Sequence, residues 1–233
     1  MATRRKRGIG RRVTRWVLVM LLFLVALTSA QVVAIRFVNP PLWRAAIGLF
    51  PGSFARVKGR YDTTWKMLNH ISPHVRRAVV AAEDQRFLWH HGFDFVEMSH
   101  AMKDIVQRKR KRGASTITMQ VARTIFLWNS RSWLRKTVEA YYTLLLETFL
   151  SKERILELYL NTVDWGVGIK GVEAASKKYF ATSSSNLSAS QAALLAAVLP
   201  SPHRWSVKRP SPYVRTRQQR ILKDMAKMPL VGH

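Results

Sequence analysis

The spacing of apolar residues divides the chain into one long apolar segment and a following series of amphipathic helices. Residues 16–35 (WVLVMLLFLVALTSAQVVAI) carry no charge, and twenty residues at helical rise are enough to span a bilayer core. Beyond residue 70 the apolar residues recur every three or four positions, which predicts helices, and few stretches alternate with period two. The pattern therefore predicts a mainly α-helical domain preceded by one transmembrane helix.

Capping residues indicate where several of these helices begin. Ser72 followed by Pro73 is a typical N-cap and first helical residue, and this helix is expected to end at Glu83 and Asp84, before a turn at Gly92. Ser151 is a candidate N-cap within the long apolar-periodic stretch 135–160, which therefore predicts two helices. Residues 166–180 are predicted to form a glycine-rich turn that enters a helix, and two further helices are predicted over 190–199 and 213–227.

The flanks of the apolar segment indicate how it is used. Seven basic residues precede Trp16, so the positive-inside rule places the N-terminus in the cytoplasm and the following domain outside. Thr28-Ser29-Ala30 resembles a signal-peptide cleavage site, but the apolar run continues past it to Ile35, which favours an uncleaved anchor. The predicted parts are a basic tail (1–15), an anchor (16–36), a membrane-proximal segment and linker (37–61), a catalytic domain (62–227) and a tail (228–233).

The net charge of the chain limits the chemical class of its binding partner. The 39 Lys and Arg residues far outnumber the 13 Asp and Glu residues and give a net charge of +26. Such an excess indicates nucleic acid, an acidic membrane surface or a phosphorylated substrate as partner. Five consecutive basic residues at 108–112 read either as a solvated loop or as a flap over an anionic substrate. The chain has no cysteine, which excludes disulfides and thiolate metal sites.

Two glutamates are candidates for chemistry. Glu83 is expected near a helix C-terminus, where the negative end of the helix dipole disfavours a second negative charge and raises a carboxyl pKa. A raised pKa suits a general base near neutral pH, although the same residues also fit an ordinary helix end. Glu139 lies one turn from Arg135 and Lys136, which by itself indicates only a local ion pair worth about 0.3–0.5 kcal/mol.

Five stretches, taken together, carry a resemblance to a known family. They are, in chain order, EDQRFLWHHGFD, GASTITMQ, RKTVE, KERILELYLN and GVGIKGVEAASKKYF. They resemble the five motifs of the family 51 peptidoglycan glycosyltransferases, specifically the monofunctional biosynthetic peptidoglycan transglycosylases. The motifs occur in the family's order, and the resemblance covers residues 62–227.

The resemblance implies a lysozyme-like helical fold with a smaller membrane-associated lobe, and polymerisation of lipid II with release of undecaprenyl pyrophosphate. It implies Glu83 as general base and Glu139 as a second catalytic carboxylate at the diphosphate, where a divalent metal (Mg or Mn) is a candidate ligand. The expected partners are lipid II, the growing glycan strand, the inner membrane and cell-division or wall-synthesis proteins, but not nucleic acid. The implied substrate-binding residues are Asp84, Phe87, His90, Ser115, Thr116, Gln120, Arg123, Arg131, Arg135 and Lys136.

The sequence departs from the family pattern at four positions. Met119 replaces the usual Gln, Arg123 and Thr124 replace Lys-Asn, and His100 lies where a fully charged basic residue is common. Two other functions also fit parts of the chain. They are a lytic transglycosylase or muramidase on a similar fold, and a non-catalytic, membrane-anchored basic scaffold.

Overall fold

The computed structural model describes residues 2–40, 65–107, 113, 115–128 and 132–232. Three predicted features therefore lie outside the described residues: most of the membrane-proximal segment, the basic run 108–112, and Arg131.

The described residues are mainly helical, as predicted. They form nine α-helices, which are α1 (Ala2–Phe37), α2 (Pro73–Glu83), α3 (Phe95–Val106), α4 (Ile117–Phe126), α5 (Trp133–Phe149), α6 (Lys152–Thr162), α7 (Val172–Phe180), α8 (Ala189–Val198) and α9 (Pro212–Met225). Short 3₁₀ turns lie at Leu68–His70 and Ser184–Asn186. Between α6 and α7, the strands β1 (Asp164–Gly166) and β2 (Ile169–Lys170) form an antiparallel hairpin.

Helix α1 is continuous, so the predicted basic tail and the predicted anchor belong to one helix. It is long and apolar enough to cross a membrane. Residues 12–27 of it are exposed along their whole length, as expected of a segment surrounded by lipid. Val32 and Ile35, in its last turns, are instead fully buried against the domain.

The predicted N-caps are confirmed. Ser72 accepts a hydrogen bond from the His74 backbone N–H, with Pro73 as the first helical residue, and Ser151 caps α6. Thr116 caps α4, since its side chain accepts the Met119 N–H at 3.2 Å. Each cap satisfies a backbone donor that has no partner within its helix.

The apolar core surrounds α8, whose residues from Ala192 to Val198 are all buried. Helices α2 and α9 pack against α8 and against each other, and α4 packs against α5 and α6. The fully buried Phe87 and Trp165 fill space in the same core. Through this packing, the C-terminal end of α2 is held beside α4 and α9, and that is where Glu83 lies.

Gly92 occupies a position that only glycine fits. Its φ is +89°, and a Cβ there would lie 2.7 Å from the Thr143 Cγ2 atom. We therefore expect Gly92→Ala to lower the free energy of unfolding by about 2–4 kcal/mol, from left-handed backbone strain together with overpacking. Thermal unfolding of the purified variant and the parent measures this loss of stability.

Gly168→Ala is the matched control. Gly168 has a φ of +72°, but a Cβ there would meet no heavy atom within 4 Å. It should cost only the backbone contribution of about 1–2 kcal/mol. Equal losses of unfolding free energy in the two variants would show that the close approach to Thr143 does not contribute to the destabilisation.

Candidate active site

Glu83 is the last residue of α2, and its side chain faces α4 and α9. The Gln120 side-chain amide donates to Glu83 Oε2 at 3.0 Å, and Arg217 Nη2 of α9 lies 3.6 Å from Oε1. The Tyr159 hydroxyl in turn donates to Gln120 Oε1 at 3.3 Å. The carboxylate is therefore held by one neutral donor and one cation, and a fixed tyrosine orients the neutral donor.

Burial raises the pKa of Glu83, because loss of water disfavours the charged carboxylate. The hydrogen bond from Gln120 and the charge of Arg217 act in the opposite direction and lower this pKa, but burial is the largest cause. The direction agrees with the expectation from sequence, although the physical cause differs. A buried carboxyl group with a raised pKa and an oriented donor is suited to accept a proton near neutral pH.

Asp84 joins the end of α2 to the start of α4. Its carboxylate accepts the Ile117 backbone N–H at 3.0 Å, and both of its oxygens lie within 3.0 Å of His90 Nε2. His90 Nδ1 accepts the Gly92 N–H, so the proton of the neutral imidazole is on Nε2 and is donated to Asp84. This places Asp84 and His90 in a buried framework that fixes the position of the neighbouring Glu83.

Glu139 organises a cluster of cations. Its fully buried carboxylate lies 2.7 Å from Arg135 Nη1 and 2.6 Å from Lys136 Nζ, so the ion pairs expected from the sequence are present. Arg123 of α4 adds a third cation, with its Nε at 3.6 Å from Glu139 Oε2. We name Arg123, Arg135 and Lys136 the cationic cluster. All three cations retain solvent exposure and can therefore reach a bound anion.

The environment of Glu139 does not suit a divalent metal. Both of its oxygens are engaged by cations, and a metal ion would have to displace them. The group Asp84, His90 and Asp94 has ligand atoms within 4.8 Å of one another. Asp84 is already bound by His90 and the start of α4, however, and Asp94 Oδ2 lies 3.2 Å from Arg86 Nε. The divalent metal implied by the resemblance therefore stays a prediction, and the contacts of these described residues do not favour it.

The other predicted substrate residues fall into two groups. Gln120, Arg123, Arg135 and Lys136 meet at Glu83 or Glu139, as described above. Phe87 and Thr116 are buried and contact other protein groups: the Phe87 ring lies 4.5 Å from Lys152 Nζ, and the Thr116 hydroxyl donates to the Gly92 carbonyl at 2.7 Å. Ser115 is half-buried. The structure therefore brings Gln120 to Glu83, and it brings Arg123, Arg135 and Lys136 to Glu139.

Two residues at the site were not predicted from the sequence. By apolar spacing, Tyr159 belongs only to the helical stretch 135–160, and Arg217 belongs only to the predicted helix 213–227. A signal for Arg217 was available: it lies three residues after Val214 and four before Ile221, both buried. A charged residue at an apolar-face position calls for a buried partner, and here that partner is Glu83.

Comparison with known proteins identifies the class. The transglycosylase family model matches residues 52–226. The chain is 43% identical over 222 residues to the biosynthetic peptidoglycan transglycosylase of Bacteroides thetaiotaomicron, covering 94% of this chain and 89% of the relative. The protein of the same description from Shewanella oneidensis is 44% identical, covering 95% and 94%. The corresponding protein of Bdellovibrio bacteriovorus is 45% identical, covering 91% and 85%.

The helical fold and these matches define a glycosyltransferase enzyme. The chain belongs to the transglycosylase family whose members build peptidoglycan strands. The family resemblance in its five motifs is thereby confirmed, and with it the expected mainly helical, lysozyme-like class of fold.

The pKa of Glu83 gives a prediction for the pH dependence of the reaction. The Gln120 hydrogen bond lowers this pKa, so Gln120→Leu should raise it further. A base must be deprotonated to act, and the acidic limb of kcat/KM, which reports the free enzyme, should therefore move to higher pH. Gln85→Leu is the control, because Gln85 is exposed and donates to the Ala81 carbonyl instead. An acidic limb that stays in place in Gln120→Leu would mean that another group sets it.

Proposed function

We propose that this enzyme polymerises lipid II, with Glu83 as the general base and the cationic cluster as the site of the leaving diphosphate. One observation carries the proposal: α4 connects the two sites. Gln120 contacts Glu83, and Arg123, one turn further along the same helix, contacts Glu139. A proton acceptor and an anion site are thereby placed side by side, as displacement of a diphosphate by a sugar hydroxyl requires.

In this mechanism, the acceptor sugar's 4-hydroxyl gives its proton to Glu83 as its oxygen attacks the anomeric carbon of the donor strand. The bond from that carbon to the diphosphate oxygen breaks, and the configuration inverts. Negative charge develops on the departing undecaprenyl pyrophosphate, and the cationic cluster stabilises it. Glu139 holds those cations in a fixed arrangement, so little reorganisation is needed when the charge appears.

We also propose that α1 spans the bacterial inner membrane with its N-terminus in the cytoplasm and the catalytic domain on the periplasmic side. The basic residues at the start of α1 support this orientation. A lipid-linked substrate requires an enzyme held at the membrane surface, and α1 supplies the attachment. Protein partners in cell division or wall synthesis stay a prediction.

The test is polymerisation by the full-length protein in proteoliposomes supplied with fluorescent lipid II. We expect linear glycan that a muramidase digests to its repeating unit. Shortening of added glycan without use of lipid II would instead support a lytic enzyme. Binding of lipid II without either reaction would support a non-catalytic scaffold.

A further inference from the structure

Two polar side chains in the second half of α1 contact the catalytic domain. The hydroxyls of Thr28 and Tyr141 lie 2.7 Å apart, and the Tyr142 hydroxyl donates to Gln31 Oε1 at 3.0 Å. Thr28 is 8% exposed and Gln31 is 4% exposed, whereas residues 12–27 of the same helix are exposed. We name these four residues the anchor seam.

Arg154 fixes the end of the same helix. Its guanidinium donates to the Ile35 carbonyl at 2.7 and 3.0 Å, and also to the Val38 carbonyl and to Asn39 Oδ1. The last carbonyls of a helix have no partner within it, and a cation there also complements the helix dipole. The anchor is therefore attached at two levels, at the seam and at its C-terminal end.

The anchor seam contacts α4 and α5, the two helices that carry the cationic cluster. The Tyr142 ring stacks on Phe126 of α4, with centroids 4.2 Å apart and an interplanar angle of 7°. Tyr142 follows Glu139 by three residues on α5, and Phe126 follows Arg123 by three on α4. Residues three apart on a helix share a face, so a displacement of α1 would reach the cationic cluster directly.

If α1 spans the membrane as proposed, the anchor seam lies within the bilayer. Thr28 follows Trp16 by twelve residues, about 18 Å along a helix at 1.5 Å per residue. An apolar bilayer core is about 30 Å thick, so Thr28 falls in the half of the span nearer the catalytic domain. Water does not compete for hydrogen-bond donors at this depth, so polar side chains there must find partners within the protein.

We infer that Thr28 and Gln31 are positioning residues, which orient the cationic cluster toward the diphosphate of a membrane-embedded substrate. The second half of the anchor is then a part of the catalytic unit, and the exposed first half serves as the attachment to lipid. This inference rests on the proposed function for its effect on catalysis. The docking of the anchor on α5 can be tested without it.

Docking is tested by cross-linking, which the absence of cysteine makes straightforward. Full-length protein carrying Thr28→Cys and Tyr141→Cys is treated in proteoliposomes with a short bismaleimide and analysed by peptide mass spectrometry. We expect an intrachain link at these positions and none for the control pair Met20→Cys and Tyr141→Cys, since Met20 is 70% exposed. Equal yields in the two pairs, or none in either, would overturn the docking.

Positioning is tested by comparing two substrates in the Thr28→Val, Gln31→Leu double variant. We expect about a tenfold loss of turnover on full-length lipid II, because the bilayer fixes the position of its diphosphate and the cluster must be aligned with it. We expect near-parental turnover on a short-chain lipid II analogue in detergent, because its diphosphate is free to move to the cluster. Thr28→Ser, which keeps the hydroxyl, should retain parental turnover on both. Equal losses on both substrates would indicate a merely structural role, and no loss on either would show that the seam is dispensable. Both outcomes overturn the inference.

The cross-linking experiment and the turnover experiment together distinguish a failure of this inference from a failure of the proposed function. If the parent enzyme polymerises neither substrate, the proposed function fails. The cross-linking result would still decide whether the anchor docks on α5.

Discussion

Glu83→Gln is expected to lower the turnover of lipid II by about 10²- to 10⁴-fold, the range typical for loss of a general base. The substitution keeps the size of the side chain but removes the oxygen that accepts the proton. Initial rates at saturating lipid II in proteoliposomes measure this loss. The fold should survive, since among the described residues the Glu83 carboxylate is held by one hydrogen bond from Gln120 and a longer contact with Arg217.

Glu153→Gln provides the matched control. Glu153 lies exposed in the first turn of α6, and the same chemical change there should leave turnover unchanged. Near-parental turnover in Glu83→Gln would exclude Glu83 as the base and leave it as an ordinary carboxylate at the end of a helix.

Glu139→Gln should lower turnover by about 10²-fold, the order seen when one preorganised electrostatic group is lost. The physical reason differs from that for Glu83. The carboxylate is fully buried and fixes cations from two helices, so its loss leaves the three cations without their shared partner. We therefore also expect a lower thermal midpoint, because removal of one member of a buried ionic group destabilises a protein.

The comparison residue for Glu139 is Glu157, which pairs with Arg154 and also accepts hydrogen bonds from the Trp65 indole and the Leu68 backbone. Glu157→Gln should lower the thermal midpoint without a comparable loss of turnover per folded molecule. If both variants lose turnover only in proportion to stability, the cationic cluster is not a diphosphate site.

Much of the fold could be predicted from local sequence signals. Apolar spacing and the caps at Ser72 and Ser151 define helices whose observed limits agree closely with the prediction, because caps act within one turn. The hairpin formed by β1 and β2 was not predicted, since its strands are three and two residues long and too short for an alternating pattern. The docking of α1 could not be predicted either, because it depends on Tyr141 and Tyr142, more than a hundred residues away.

The identity of the site residues could be predicted better than the contacts between them. The motif resemblance supplied Glu83, Glu139 and most of the residues around them. It did not supply the contact of Arg217 with Glu83, which is formed between helices far apart in sequence. Nor did local reasoning show that Arg123 reaches Glu139, because the pairing expected on α5 alone involves only Arg135 and Lys136. These contacts depend on how α2, α4, α5 and α9 pack, and that is set by the whole core.

The separate roles proposed for Glu83 and Glu139 are tested most directly by equilibrium binding of lipid II. Binding is measured for Glu83→Gln and Glu139→Gln at two salt concentrations. Glu83→Gln should bind with the affinity and salt dependence of the parent, because the cationic cluster is unchanged. Glu139→Gln adds one uncompensated positive charge to that cluster and should therefore show a changed affinity with steeper salt dependence. A Glu83→Gln variant that alters binding as much as Glu139→Gln does would contradict separate roles for base and diphosphate site.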